Sequence, residues 1–127
     1  MLIRDPMVES RYPSNHRLHN PLEFDAVFQN RQYRLQCEEF LVLAMVNDKS
    51  SSRIGMVIGK KTTPLAVDRN RIKRRIRESF RTGFPQCLCV DIVIVARSQV
   101  NKAKGSKLTE ILHILWYNLE NKIRASD

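Results

Sequence analysis

The hydrophobic positions of the chain repeat with a helical period in three stretches, and four other short segments are patterned as strands. The first helical stretch starts at Asn20, where Asn20, Pro21 and Glu23 have the arrangement of a capping box with proline in the first turn. We therefore predict a helix from this point. Its apolar face, at spacings of three and four, consists of Phe24, Val27 and Phe28.

Three predicted strands follow this helix, and a fourth comes later in the chain. Gln32–Cys37 alternates polar and apolar residues, and Arg53–Gly59 is an apolar run that contains two glycines. Phe40–Val46 and Val90–Ala96 are almost wholly apolar, which indicates strands covered on both faces for part of their length.

The second helical stretch lies between the third and fourth strands and has two contrasting faces. Thr63 and Pro64 are predicted to cap and start it, and Gly83 with Pro85 to end it. Arg69 falls inside the apolar stripe, so either its aliphatic stem covers the edge of the core or the regular helix begins only near Asp68. The predicted apolar stripe is Leu65, Ile72, Ile76 and Phe80, and the opposite face carries Asn70, Arg74, Arg77 and Arg81.

The third helical stretch is predicted to be the final helix of the sequence, capped by Ser106. Trp116 flanks its apolar stripe, which consists of Leu108, Ile111, Leu112, Leu115, Leu119 and Ile123. The order helix, three strands, basic helix, strand, helix predicts an α+β sandwich in which helices pack against one mixed sheet. With 127 residues the chain suits one domain, predicted at 17–127. The aperiodic residues 1–16 are predicted to be a flexible arm.

Charge is concentrated on and just before the second helix. Residues 60–81 contain nine basic and two acidic residues, a net charge of +7, in a chain whose net charge is +9. Like charges three and four residues apart repel one another, so such a face is costly unless phosphates lie against it. A binding surface for nucleic acid is therefore preferred to an ordinary solvated face.

This helix also carries a motif. Residues 66–81 read AVDRNRIKRRIRESFR, which closely resembles the arginine-rich signature of the protein subunit of bacterial ribonuclease P. That pattern runs roughly A-V-x-R-N-R-x-K-R-x-x-R-E-x-F-R, and every fixed position is met. Phe24 and Phe28 fall on the F-x-x-V-F element of that family's first helix, and the resemblance extends over roughly residues 17–123.

The resemblance implies a left-handed crossover around the basic helix, a rare exception to the right-handed preference. It also implies a subunit that binds the catalytic RNA and assists removal of the 5′ leader from precursor tRNA, with Mg²⁺ held at the active site of the RNA. Phe24 and Phe28 would line the groove for the single-stranded leader. The strand position at which the family often has an aromatic residue is Leu43, so no strand aromatic is assigned to the groove. The expected RNA-binding residues are Lys60, Lys61, Arg69, Asn70, Arg71, Lys73, Arg74, Arg77 and Arg81.

Two other functions remain open from the residues alone: a different RNA-binding module, such as a ribosomal or assembly protein, and a DNA-binding helix. The basic stretch has few Gln, Asn or Ser residues for base edges, which disfavours the DNA reader. No Ser/His/Asp or Cys/His set suggests catalysis by the protein itself.

Other classes of site and partner find little support in the sequence. The odd number of cysteines, Cys37, Cys87 and Cys89, follows no zinc spacing and indicates reduced thiols in the cytoplasm, without a metal held by the protein. No apolar run is long enough for a membrane span, and no obligate protein partner is predicted.

Overall fold

The computed structural model describes residues 16–126, so the predicted arm lies, except for His16, outside the described residues. The chain forms the elements in the predicted order. Three α-helices, α1 (Pro21–Asn30), α2 (Ala66–Gly83) and α3 (Ser106–Ala125), occur in this range. The strands are β1 (Tyr33–Gln36), β2 (Phe40–Val46), β3 (Arg53–Val57) and β4 (Val90–Ala96), and short 3-10 turns at Gln86–Leu88 and Ser98–Lys102 flank β4.

The four strands form one mixed sheet in the order β1-β2-β4-β3. β2 is antiparallel to both β1 and β4, whereas β3 and β4 are parallel neighbours joined through α2. This confirms the α+β class and the strand–helix–strand crossover. Its left-handedness stays an expectation from the family resemblance.

The larger core lies on the face of the sheet covered by α2 and α3. Ile72, Ile76 and Phe80 of α2 are buried there, as the helical period predicts, together with the alternate residues of the strands. Trp116, beside the apolar stripe of α3, is fully buried, and its indole N–H donates to Ser79 Oγ (2.8 Å), whose hydroxyl donates to the carbonyl oxygen of Ile76. This chain of bonds satisfies the polar atoms between α2 and α3.

The smaller core lies on the opposite face, under α1, where Val27 packs with Leu18, Leu43 and Val93. The predicted capping box is present: Glu23 N–H donates to Asn20 Oδ1 (3.1 Å) and Asn20 N–H to Glu23 Oε1 (3.3 Å). An isolated bridge between Arg17 and Ile54 extends the sheet beyond β3.

The predicted starts of α2 and α3 are partly wrong. Thr63 does not cap α2; it is buried, and the cap position is Leu65, which makes no side-chain capping bond. Leu65 is 61% exposed and lies outside the core. It precedes the first residue of α2 and has an extended backbone conformation, so the helical period does not apply to its side chain. The cap of α3 is Gly105, one residue before Ser106, with a φ of 54° that glycine adopts without strain.

Candidate nucleic-acid interface

The predicted RNA-binding residues lie on the basic helix α2 and on the turn before it, and five of the nine are exposed. Lys60 and Lys61 are exposed on the turn that precedes it. Asn70, Arg74 and Arg81 are exposed along the helix. The half-buried members of the predicted set are Arg69, Arg71, Lys73 and Arg77. The helix therefore brings seven of the nine predicted residues onto one element, outside the core formed by its apolar stripe.

Little acidic charge opposes this face. Arg71 lies 3.3 Å from Asp68 Oδ1, and Arg81 pairs with Glu78. Both are partly exposed pairs one helical turn apart, which contribute only tenths of a kcal/mol each. Lys73 and Arg74 make no ion pair with any carboxylate of the described residues. Their positive charge is available to an external anion.

Arg69 and Arg75 of α2 donate hydrogen bonds to oxygen atoms outside the helix. Arg69 Nη1 donates to the carbonyl oxygens of Thr63 (2.9 Å) and Pro64 (2.8 Å), so its side chain folds back over the turn before the helix. Of the two alternatives for Arg69, the helix start near Asp68 is wrong, because α2 begins at Ala66. Arg75 Nη1 donates to Thr109 Oγ1 (2.9 Å) and joins α2 to α3.

A second surface lies on the other face of the sheet, where α1 covers only part of the strands. The strand registers align Leu43, Val93 and Gly55 in one row, and this row is buried beneath α1. The next row toward the carboxyl end of β4 consists of Leu41, Val95 and Val57, all only half-buried. We call Leu41, Val57 and Val95 the open row.

The two predicted groove phenylalanines, Phe24 and Phe28, border this surface. Both are half-buried and pack against the smaller core. Phe24 lies over Gly55, and Val57 is two residues further along the same face of β3. An apolar strip with one aromatic edge is thus left accessible, of the kind on which unpaired bases stack.

The open row was not identified from sequence. Strand alternation marks Leu41, Val57 and Val95 as candidates for one face, but the pairing register that makes them neighbours is not encoded in the local pattern. Leu43, the position matched to the family's strand aromatic, is buried and unavailable to a ligand.

A polar cluster anchors the start of α1 to the sheet. Arg53 bonds both oxygens of Asp91 (2.9 and 2.6 Å) and also reaches Glu23 Oε2 (2.9 Å), while Asn47 Nδ2 donates to Asp91 Oδ1. The pKa of Glu23 is lowered chiefly by the hydrogen bond from the backbone N–H of His19 and, to a smaller extent, by Arg53. Asp91 raises the pKa of Arg53. These charges are mutually satisfied, so the cluster fixes α1 in position.

Metal and membrane sites find no support in the part of the chain that is described. Residues 16–126 contain no group of three or more His, Cys, Asp or Glu side chains placed to hold a metal ion. All three cysteines are free thiols, and burial raises the pKa of Cys37. Among the described helices, none combines the length and apolarity that crossing a bilayer requires.

Comparison with known proteins identifies the family. The family model for ribonuclease P matches residues 12–120. The ribonuclease P protein component of Ectopseudomonas mendocina is 40% identical over 121 residues, with 95% of this chain and 90% of the relative covered. That of Marinobacter nauticus is 34% identical over 115 residues, with 91% and 86% covered.

Solved structures agree with this assignment. The Staphylococcus aureus RNase P protein superposes with a TM-score of 0.69 at 25% identity, covering 79% of this chain and 92% of that protein. The Thermotoga maritima RNase P protein superposes with a TM-score of 0.61 at 31% identity, covering 76% and 94%. The chain therefore belongs to the ribonuclease P protein family and is a protein component of that tRNA-processing ribonucleoprotein nuclease.

Proposed function

We propose that the chain binds the RNA subunit of ribonuclease P through the basic face of α2 and holds the 5′ leader of precursor tRNA along the open row. The observation that carries the proposal is the separation of two unlike surfaces. The apolar stripe of α2 packs on one face of the sheet, whereas Phe24 and Phe28 border the other. One subunit can thereby contact two different RNA segments at once.

The two surfaces suit different forms of RNA. Arg74 and Lys73, without carboxylate partners among the described residues, can neutralise phosphates and release counterions. The open row and Phe28 offer an apolar strip but few cations, which suits the faces of unpaired bases. Double-stranded RNA keeps its base faces stacked inside the helix and would gain little there. A single-stranded leader is therefore the preferred occupant.

In this proposal the RNA subunit holds Mg²⁺ and cleaves the leader, and no ion is assigned to the protein. The protein's residues bind and orient: α2 contacts the RNA subunit, and the groove fixes the leader so that the scissile phosphate is positioned. Cleavage of a correctly oriented substrate needs a lower Mg²⁺ concentration. The binding energy between protein and RNA replaces part of the phosphate neutralisation that free cations would otherwise supply.

The test is cleavage of precursor tRNA by a bacterial ribonuclease P RNA at low Mg²⁺, with and without the purified protein. We expect the protein to raise the rate and to favour precursor tRNA over mature tRNA in binding. A substrate with a one-nucleotide leader serves as the control and should lose most of the preference. Binding to the RNA without any effect on cleavage would favour the alternative of a general RNA-binding module.

A further inference from the structure

A group of lysines lies beside the arginine-rich face, on two segments that follow the carboxyl ends of the parallel strands β3 and β4. The first loop, residues 58–65, carries Lys60 and Lys61, and the second, residues 98–107, carries Lys102, Lys104 and Lys107. Neither segment contains an acidic residue. We call these five lysines the basic edge.

The two loops are held together by Asn101. Its side-chain Nδ2 donates to the carbonyl oxygen of Thr62 (2.6 Å), and its Oδ1 accepts from the buried hydroxyl of Thr63 (3.1 Å). Lys61 precedes Thr62 and Lys102 follows Asn101, so each lysine is one residue from an end of the same hydrogen bond. The bond therefore brings together the two backbone segments that carry Lys61 and Lys102, about 40 positions apart in sequence.

Other contacts fix the backbone of this surface. The Thr63 N–H donates to the Gly59 carbonyl oxygen (2.9 Å), which closes the turn that bears Lys60 and Lys61. Arg69 bonds the carbonyl oxygens of Thr63 and Pro64 and so holds the same turn against α2. These bonds hold the turn in place without a ligand, which reduces the entropy lost on binding.

All five lysines are exposed, and none forms an ion pair with a carboxylate of residues 16–126. Lys49 and Arg124, by contrast, each have a carboxylate within ion-pair distance. Uncompensated like charges on fixed loops repel each other unless a polyanion neutralises them. Their three-donor ammonium groups bind phosphate as point charges without requiring a particular base.

We infer that the basic edge is a second phosphate-contact surface for the RNA subunit, continuous through Lys60 and Lys61 with the basic face of α2. Lys102, Lys104 and Lys107 contact the sugar–phosphate backbone, and Asn101 joins the two loops. This inference rests on the proposed function, because it names the same RNA partner. It extends that partner's footprint from α2 to the start of α3.

The experiment compares Lys102→Ala/Lys104→Ala with Lys122→Ala in binding to ribonuclease P RNA across a salt series. Lys122 is exposed and lies on α3 fifteen residues beyond Lys107, about 22 Å along the helix axis. We expect the double variant to flatten the log–log salt slope by about 1 to 2 and to weaken binding about tenfold at moderate salt. Lys122→Ala should match the wild-type protein.

A charge-preserving variant, Lys102→Arg/Lys104→Arg, should retain the wild-type slope, and unchanged circular dichroism establishes that each variant is folded. Equal salt slopes for the double alanine variant and Lys122→Ala would overturn the inference. In that case the proposed function still stands if the wild-type protein binds the RNA and stimulates cleavage. A loss seen only toward precursor tRNA would also overturn it. Failure of the wild-type protein to bind the RNA or to stimulate cleavage would instead contradict the proposed function.

Discussion

The ring of Phe24 lies against the backbone of Gly55, and a Cβ atom added to Gly55 would be only 2.5 Å from Phe24 Cζ and 2.6 Å from Cε2. A larger residue at this strand position would therefore have to push the Phe24 ring aside, because of close approach rather than an unusual φ. The contact sets the height of α1 above the sheet, and with it the depth of the groove bordered by Phe24 and Phe28. The geometry of the groove thus depends on the absence of a side chain at Gly55.

Gly55→Ala should displace Phe24 and lower the free energy of unfolding by about 1–3 kcal/mol, the usual cost of an added methyl group in a packed site. Denaturant unfolding measures this. Gly59→Ala is the matched control, because its Cβ would meet only Thr62 Oγ1, at 3.9 Å. Combining Gly55→Ala with Phe24→Leu should recover part of the loss. If Gly55→Ala is as stable as Gly59→Ala, the ring does not press on the strand.

The two phenylalanines should differ in what they contribute. Phe24 is held over Gly55 and near Leu18, so Phe24→Ala should cost about 2 kcal/mol of stability, less than the ~3–5 of a fully buried ring. Phe28→Ala should instead lower the affinity for leader-bearing precursor tRNA by about 1–3 kcal/mol, the value of one stacked base. Thermal unfolding and holoenzyme binding to substrates with and without a leader separate these effects. Loss of stability in Phe28→Ala with leader preference intact would return Phe28 to the core.

The anchor of α1 predicts a pH dependence. The pKa of Glu23 is lowered below its ordinary value of 4.5, chiefly by the His19 N–H and also by Arg53. The folded protein then binds this proton more weakly than the unfolded chain, so the contribution to stability is present above pH 4.5 and is lost as the pH falls through the folded pKa. Glu23→Gln should therefore make the decline of stability below pH 4.5 shallower. Asp25→Asn, an exposed change on the same helix, is the control and should leave the slope unaltered.

Much of the fold follows from local patterns, and the exceptions have physical causes. The capping box at Asn20 and the α2 stripe at Ile72, Ile76 and Phe80 are fully specified by short-range spacing and are confirmed. Thr63 was mispredicted as a cap because its hydroxyl bonds Asn101, a partner 38 residues away. No local pattern signals a contact of that range.

The same distinction holds for the candidate site. The basic residues of α2 are recognisable because they share one helix. The open row requires three strands to pair in a particular register, which the hydrophobic runs leave undetermined because Phe40–Val46 and Val90–Ala96 have no polar face. The basic edge similarly depends on the parallel pairing of β3 with β4.

Arg74 and Arg75 are neighbours in sequence but should behave differently. Arg74 is exposed, with no ion-pair partner among the described carboxylates, whereas Arg75 is tied to Thr109. Arg74→Ala should flatten the salt slope of binding to ribonuclease P RNA by somewhat less than ~1 and leave stability unchanged. Thr109→Val, which removes only the partner of Arg75, should lower stability while keeping the slope. An unaltered slope in Arg74→Ala would remove this residue from the RNA interface.

Asn70 is the neutral residue between Arg69 and Arg71, and we predict that its amide bridges the RNA and the protein backbone, since it both donates and accepts. Its side chain is exposed and is not the cap of α2, a position taken by Leu65, so the structural role that asparagine often has at helix starts is absent here. Asn70→Asp places a negative charge in the second turn of α2, four residues before Arg74, which should leave stability unchanged or raise it by about 0.2–0.5 kcal/mol. The same charge faces phosphates and removes the amide donors, so affinity for the RNA should fall severalfold to tenfold or more.

Thermal unfolding and RNA binding, measured beside Asn121→Asp on the exposed side of α3, distinguish a local effect from the change in net charge. Equal losses of stability and affinity in Asn70→Asp, or equal affinities for the two variants, would contradict the prediction.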